Sequence, residues 1–237
     1  MIKIRLDIVR QDDPQSEPYL LHVMYESEND HATLAKALTD INSNPERRDC
    51  DGKGFEPVAW QESCHQRKCG ACAMRINHVP SLACGARLSD YGDAVMVEPL
   101  KKFPIVKDLL VDRSILWENL KQIRAWLEED VSVTEEMSDF AFKASGCLQC
   151  GCCLEVCPNF YAGGDFFGMA AMVPVARLLS ELPKEKQVEL RKEYRKHVYN
   201  GCGKSLACRK ICPAGLPVDE LLIASNAIAV WKRIYHF

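Results

Sequence analysis

Residues 147–158 read CLQCGCCLEVCP, a run of cysteines spaced C-x2-C-x2-C-x3-C and followed by proline. This spacing is the bacterial ferredoxin pattern, in which cysteine thiolates bind iron–sulfur clusters. A second run, GCGKSLACRKICP at residues 201–213, follows the same pattern except that Ser205 stands where the second cysteine is expected. The two runs predict a domain built around clusters, and the serine marks one ligand position as different.

The two runs have to be interpreted together, because in two-cluster ferredoxins the fourth cysteine of each run binds the cluster of the other run. One cluster then takes four thiolates, from Cys147, Cys150, Cys153 and Cys212. The other takes three, from Cys157, Cys202 and Cys208. Four thiolates match a 4Fe-4S cluster, and three match a 3Fe-4S cluster, which lacks one iron corner. The alternative is that the Ser205 hydroxyl binds a fourth iron, although serine oxygen is a poor substitute for thiolate at a soft iron site.

A third group of cysteines lies in the first half of the chain, at Cys64, Cys69, Cys72 and Cys84. The spacing of its first three members, x4 and then x2, is that of plant-type 2Fe-2S ferredoxins. Small residues in this loop allow backbone amides to approach the sulfurs, while Arg67 and Lys68 add positive charge that favours thiolates and raises the reduction potential. A four-cysteine zinc site is the alternative, although zinc sites usually contain paired C-x2-C motifs.

The composition limits the class of protein. The chain has 237 residues, thirteen cysteines and a formal net charge of −3, and this charge gives no general attraction to nucleic acid. The N-terminal stretch MIKIRLDIVR alternates apolar and charged residues and so does not match the apolar core of a secretory signal. We therefore expect a reducing compartment, in which clustered cysteines more often bind metal than form disulfides. The two remaining cysteines, Cys50 and Cys152, are predicted to be non-ligands.

The secondary-structure pattern changes near residue 103. Two stretches near the N-terminus alternate as strands, and DHATLAKALTDINSN at residues 30–44 has helical spacing with Asp30 as the N-cap. Beyond residue 103 the pattern is mainly helical, starting with ILWENLKQIRAWLEE at residues 115–129. The sequence therefore predicts an α+β protein with two domains, residues 1–103 and residues 104–237.

Three segments closely resemble the iron–sulfur subunit of succinate dehydrogenase and fumarate reductase. They are CHQRKCGACAMRINHVPSLAC (64–84), CLQCGCCLEVCPNF (147–160) and CGKSLACRKICPAGLP (202–217). The resemblance covers essentially the whole chain. It implies a β-grasp, plant-type ferredoxin domain at the N-terminus and an all-α, bacterial-ferredoxin-like domain at the C-terminus. It also implies electron transfer between FAD in a flavoprotein subunit and quinone at a cytochrome b-type membrane anchor. FAD, quinone and, where the anchor carries it, haem belong to the partner subunits.

The resemblance also places quinone contacts beside the end of the first run, at Pro158, Asn159, Phe160 and Tyr161. Ubiquinone-type members of the family tend to carry two adjacent tryptophans in this stretch. The FYAGG of this chain favours a menaquinone-type bacterial enzyme, held peripherally at the cytoplasmic face of the inner membrane. The alternative is that Phe160 and Tyr161 only pack around a cluster. The final residues, AIAVWKRIYHF at 227–237, are typical of a membrane interface or of a plain amphipathic helix.

Two other functions remain open at this point. One is that of an electron-transfer subunit of a different flavoenzyme, such as a 2-hydroxy acid oxidase. The other is that of a free ferredoxin-like carrier. A free carrier is usually smaller and does not need three clusters of graded potential. The sequence contains no G-x-G-x-x-G and no phosphate-binding loop of the Walker type. We therefore predict no catalytic residue in this chain.

Overall fold

The computed structural model describes residues 1–127, 130 and 135–231, and for residues 135–138 it describes the backbone alone. The chain divides into two compact units, Met1–Asp112 and Arg113–Phe237. The first contains the strands and the second is helical, which confirms the predicted mixed α+β class. The C-terminal interface prediction falls mainly on residues 232–237, which lie outside the described residues.

The first unit contains a five-stranded mixed sheet. Its strands are β1 (Ile2–Arg10), β2 (Tyr19–Ser27), β3 (Ala73–Ile76), β4 (Val79–Leu82) and β5 (Ala94–Glu98). Their order is β2-β1-β5-β3-β4. Strands β1 and β5 run parallel, and the other neighbours are antiparallel. On β1, Ile4, Leu6 and Ile8 are fully buried, as expected when every second side chain of a strand points to one face.

Helix α1 (Leu34–Ser43) buries Leu34, Leu38 and Ile41, which recur at helical spacing. The predicted N-cap, Asp30, is wrong. Thr33 caps the helix, because its side-chain oxygen accepts a hydrogen bond from the Lys36 amide at 3.3 Å. The backbone bond from the Ala32 amide to the Asn29 carbonyl closes a turn that places Asp30 before the helix.

The first unit extends further than the predicted boundary at residue 103. A short hairpin of β6 (Ile105–Lys107) and β7 (Leu110–Val111) belongs to it, and the unit ends at Asp112. The hairpin is too short to produce a strand signal in the sequence. It is attached to the first unit by Asp108 at its turn, a residue that is completely buried.

Asp108 is the centre of a buried polar network. The Arg10 Nε donates to its carboxylate at 2.7 Å, and the backbone amides of Gln11 and Ala59 donate to it at 3.1 and 2.8 Å. The Arg10 guanidinium also donates to the carbonyls of Glu56 and Pro57, at 3.0 and 3.3 Å. The network therefore holds the irregular segment that leads into the first cysteine loop.

We expect Asp108→Asn to lower the free energy of unfolding by about 3–5 kcal/mol, because it leaves the Arg10 charge buried without its partner. Asparagine keeps the shape of the side chain and tolerates the left-handed φ of 49° at this position. Chemical denaturation followed by circular dichroism measures the loss. Glu26→Gln, which breaks the exposed pair of Lys3 and Glu26, is the matched control and should change little. Equal effects of the two variants would contradict the argument.

The second unit is built around helix α5 (Gly168–Glu181), of which eleven residues are buried. The helices that contact α5 are α2 (Ser114–Gln122), α3 (Glu135–Ser145), α4 (Cys152–Glu155), α6 (Val188–Tyr194) and α8 (Val218–Asn226). A further short α-helix is α7 (Ala207–Ile211), and a π-helical turn at Arg195–Tyr199 also contacts α5. Within residues 1–127, 130 and 135–231, no helix is both long and apolar enough to cross a membrane.

The helix predicted from Ile115 is shorter than expected. Helix α2 ends at Gln122, because Arg124 adopts a left-handed φ of 56° that a helix cannot continue through. Residues 128 and 129 of that prediction lie outside the described residues.

Candidate metal centres

The loop from Cys64 to Cys72 directs backbone amides at the cysteine sulfurs. Five amides donate to sulfur at 3.2–3.5 Å: Gln66 and Lys68 to Cys64, Arg67 to Cys84, Ala71 to Cys69, and Cys84 to Cys72. Left-handed φ angles of 52°, 59° and 74° at His65, Arg67 and Gly70 produce this curvature. Every sulfur of the predicted group therefore accepts an amide hydrogen bond, an arrangement that stabilises thiolates.

The four thiols of this loop differ in environment. The amides of Gln66 and Lys68 lower the pKa of the Cys64 thiol to about 7. Burial raises the pKa of the Cys72 thiol to about 12, and the neighbouring Cys84 and Cys69 act in the same direction. Two of these thiols, Cys72 and Cys84, are buried, whereas Cys64 is half-buried and Cys69 is exposed. Such neighbouring thiols become a set of thiolates when a cationic centre compensates their charge, and iron would supply that charge.

A first cavity lies in the second unit, with about 420 Å³ of empty space when its opening to solvent is included. Four of its lining residues are the cysteines grouped from the sequence: Cys147, Cys150, Cys153 and Cys212. Cys212 belongs to the second run and the other three to the first. The structure thus brings these four residues together across the two runs.

A second cavity of about 360 Å³, measured in the same way, is lined by Cys157, Cys202, Cys208 and Ser205. Here Cys157 comes from the first run and the others from the second. The structure therefore exchanges the last cysteine of each run between the cavities, and Ser205 lines the same cavity as three cysteines.

The two runs fold alike. In the first run Gln149 and Gly151 have left-handed φ angles of 50° and 85°, and in the second Lys204 and Leu206, at the corresponding positions, both have φ of 56°. Helices α4 and α7 begin immediately after Gly151 and Leu206. Ser205 consequently occupies the same position in its loop as Cys150 does in the first run.

The donors around both cavities fit iron–sulfur clusters. Burial raises the pKa of Cys147 and Cys208 to about 11 and that of Cys153 well above its usual range, with neighbouring cysteine sulfurs acting in the same direction. Such thiols need a compensating cationic group, and soft sulfur donors favour iron or zinc. Among the described residues, no three His, Cys, Asp or Glu side chains are placed to hold one metal ion. The cysteines instead surround cavities, as a multi-iron group requires.

Three residues near the first cavity were not identified from the sequence as contacts of the ligands. The Gln149 side chain donates to the Cys147 sulfur at 3.2 Å, and Arg113 donates to the Cys150 carbonyl at 2.9 Å. Cys152 is fully buried and lines neither cavity. Its thiol donates to the Cys150 sulfur, which lowers the pKa of Cys150 to about 7 and raises that of Cys152. The sequence contained one indication of these contacts, because Gln149 and Cys152 lie between the ligand cysteines. It contained none for Arg113.

The residues predicted to contact quinone occupy different environments. Pro158 and Asn159 line the second cavity, and the side-chain amide of Asn159 donates to the Gly201 carbonyl at 2.6 Å. Phe160 is only 3% exposed, whereas Tyr161 is 68% exposed. The remaining cysteine, Cys50, is exposed in a loop of the first unit.

Comparison with known proteins identifies two iron–sulfur domain families whose matched residues contain the cysteine motifs. Residues 5–118 match the family described as a 2Fe-2S iron-sulfur cluster binding domain, and residues 143–216 match the 4Fe-4S dicluster domain. The solved Mycobacterium smegmatis Sdh1 complex in its apo form contains a chain with the same fold. The TM-score is 0.76 at 21% identity, covering 98% of this chain and 97% of that one.

Two curated relatives match nearly the full length. The succinate dehydrogenase iron-sulfur subunit of Bacillus subtilis is 33% identical over 236 residues, which cover 94% of this chain and 91% of the relative. The fumarate reductase iron-sulfur subunit of Escherichia coli is 29% identical, with 90% and 87% covered. This chain belongs to the iron–sulfur subunits of the succinate dehydrogenase and fumarate reductase family.

Proposed function

We propose that this chain carries electrons between the FAD of a flavoprotein subunit and quinone at a membrane anchor, through a 2Fe-2S, a 4Fe-4S and a 3Fe-4S cluster. The observation that carries the proposal is the exchange of Cys157 and Cys212 between the two cysteine cavities. Such an exchange is the ligand pattern of two-cluster ferredoxins, and it brings two electron carriers into one small unit.

The ligand sets follow from the three groups of sulfurs. The 2Fe-2S set is Cys64, Cys69, Cys72 and Cys84. The 4Fe-4S set is Cys147, Cys150, Cys153 and Cys212, and the 3Fe-4S set is Cys157, Cys202 and Cys208. When bound, the clusters supply one-electron redox centres. The chain holds their thiolates, donates amide hydrogen bonds to sulfur and limits access of water.

Two features support the finer assignment of folds. A mixed sheet with parallel β1 and β5 beside one helix suits the plant-type β-grasp ferredoxin fold. The two similar cysteine loops, each followed at once by a short helix, suit a bacterial-ferredoxin-like arrangement within a helical domain.

The partners of the proposed complex are an FAD-containing flavoprotein and a cytochrome b-type anchor, with haem where the anchor carries it. The exposed ring of Tyr161, two residues after Asn159 of the second cavity, supports a quinone site that includes Pro158, Asn159, Phe160 and Tyr161. The FYAGG sequence favours menaquinone. The chain would then lie peripherally at the cytoplasmic face of a bacterial inner membrane.

Purification of a tagged chain from membranes tests the proposal. We expect co-purification of a flavoprotein and a membrane subunit, and a complex in which succinate or menaquinol reduces all three clusters. In the same assay, Tyr161→Ala should raise the KM for quinone without altering the cluster spectra, and Tyr19→Ala, which removes another exposed tyrosine on β2, is the control. Recovery of a soluble monomer would favour a free carrier. Reduction by a 2-hydroxy acid but not by succinate would favour another flavoenzyme.

A further inference from the structure

The side chain of Arg67 crosses directly over Gly85, the residue that follows Cys84. A Cβ atom built on Gly85 would lie 2.9 Å from the Arg67 Nε, 3.1 Å from its Cδ and 3.4 Å from its Cγ. We propose that Arg67 and Gly85 together hold a positive charge beside Cys84 and thereby raise the reduction potential of the 2Fe-2S cluster. This inference rests on the proposed function, because it requires that cluster.

Arg67 is fixed beside Cys84 by its backbone as well as by its side chain. Its amide donates to the Cys84 sulfur at 3.2 Å from a left-handed backbone with φ of 59°. The side-chain stem then runs along the backbone of Gly85. Although Arg67 as a residue is exposed, these two contacts restrict where its guanidinium can lie. The charge therefore stays near Cys84 instead of sampling the surrounding solvent.

Glycine at position 85 leaves space for the Arg67 side chain. It is not required by the backbone conformation. Gly85 ends a short 3-10 turn (Ala83–Gly85) and does not have a positive φ, so an alanine fits its conformation. The added methyl group, however, would lie closer than an ordinary contact to the Arg67 Nε and Cδ, while Cγ at 3.4 Å is at the limit of ordinary contact. Gly85→Ala would thus displace the Arg67 side chain and leave the ligands in place.

The charge matters because reduction adds one electron to a centre that four thiolates already make anionic. A cation held nearby stabilises the reduced form more than the oxidised form, since the Coulomb energy grows with the charge of the centre. Solvent screens part of this interaction at an exposed site. A redox potential is the direct readout, because it responds to the charge of Arg67, and the comparison of lysine with glutamine at this position separates that charge from packing.

The test is a redox titration of the 2Fe-2S cluster in the complete holoprotein, with dithionite as reductant and paramagnetic resonance as detection. Arg67→Ala keeps the amide that donates to Cys84 and should shift the potential to a lower value. Gly85→Ala should shift it in the same direction. In the double variant the shift should equal that of Arg67→Ala alone, because Gly85 acts only through Arg67.

The controls separate charge from packing. Arg67→Lys keeps the charge and should remain closer to the wild type than Arg67→Gln, which keeps much of the stem and loses the charge. Lys68→Ala removes the neighbouring cation and should shift the potential less than Arg67→Ala. The 4Fe-4S cluster in the other unit serves as an internal reference whose potential should stay constant.

Two results would overturn the inference. One is an unchanged potential in Arg67→Ala or Arg67→Gln, and the other is a Gly85→Ala effect that persists in the Arg67→Ala background. A wild-type protein without any 2Fe-2S signal would instead contradict the proposed cluster set, so the two failures are distinguishable.

Discussion

Replacing Ser205 with cysteine is expected to convert the proposed 3Fe-4S centre into a 4Fe-4S centre. The backbone of the second run already has the left-handed angles at Lys204 and Leu206 that correspond to those flanking Cys150 in the first run. The new thiol would therefore enter the second cavity in the orientation of a ligand. Paramagnetic resonance of the oxidised protein should lose the 3Fe-4S signal, and the potential of this centre should fall, because a fourth thiolate adds negative charge.

Ser205→Ala is the matched control. If the serine is not a ligand, alanine leaves the 3Fe-4S signal and its potential almost unchanged. If the hydroxyl binds a fourth iron in the wild type, no 3Fe-4S signal is present before the substitution and one appears after it. The two substitutions together thus distinguish the three-thiolate interpretation from serine ligation.

Substituting Cys157 or Cys212 is expected to remove a single cluster. In each case it is the cluster whose other ligands lie in the opposite run. Cys157→Ala takes a thiol from the second cavity, so it should abolish the 3Fe-4S signal although Cys157 follows three 4Fe-4S ligands in sequence. Cys212→Ala should abolish the 4Fe-4S signal in the same way. Iron analysis and resonance spectra of oxidised and reduced holoprotein measure both losses.

Cys152→Ala is the control for these variants, because Cys152 is a buried cysteine of the first run that lines neither cavity. Both clusters should persist in it. The 2Fe-2S signal reports in every variant whether the first unit has folded, and the persistence of the other cluster reports the folding of the second unit. Loss of the 4Fe-4S signal alone in Cys157→Ala would show that each run binds its own cluster and would contradict the exchange.

Part of the site was predictable because ligand spacing is a local property. Cluster chemistry demands cysteines at short fixed separations, and the groups at residues 64–84, 147–158 and 201–213 display those separations directly. The missing thiol at Ser205 was visible for the same reason. Strand alternation on β1 and the helical spacing of α1 likewise produced the correct elements in the first unit.

Other features depend on atoms that are distant in sequence. The first compact unit extends past residue 103 to Asp112, because the β6–β7 hairpin is held by Asp108, whose partner Arg10 lies 98 residues away. The N-cap of α1 was misplaced because the chain around Thr33 pairs with a distant segment. The Leu34 amide donates to the Ala86 carbonyl and the Leu88 amide donates to the Ala32 carbonyl, both at 2.9 Å, and the helix starts only after this pairing. Sequence spacing does not register either interaction.

The sequence by itself determined the chemistry of this protein: which thiols are available, how they are spaced within each run, and which position lacks one. The ferredoxin pattern also predicted the exchange of Cys157 and Cys212, and the tertiary structure places these two residues in opposite cavities across 55 residues of chain. Only the tertiary structure decided that Arg67 lies over Gly85. The physical reason is that ligand type and local spacing are encoded along the chain, whereas electrostatic environment depends on distances that only packing establishes.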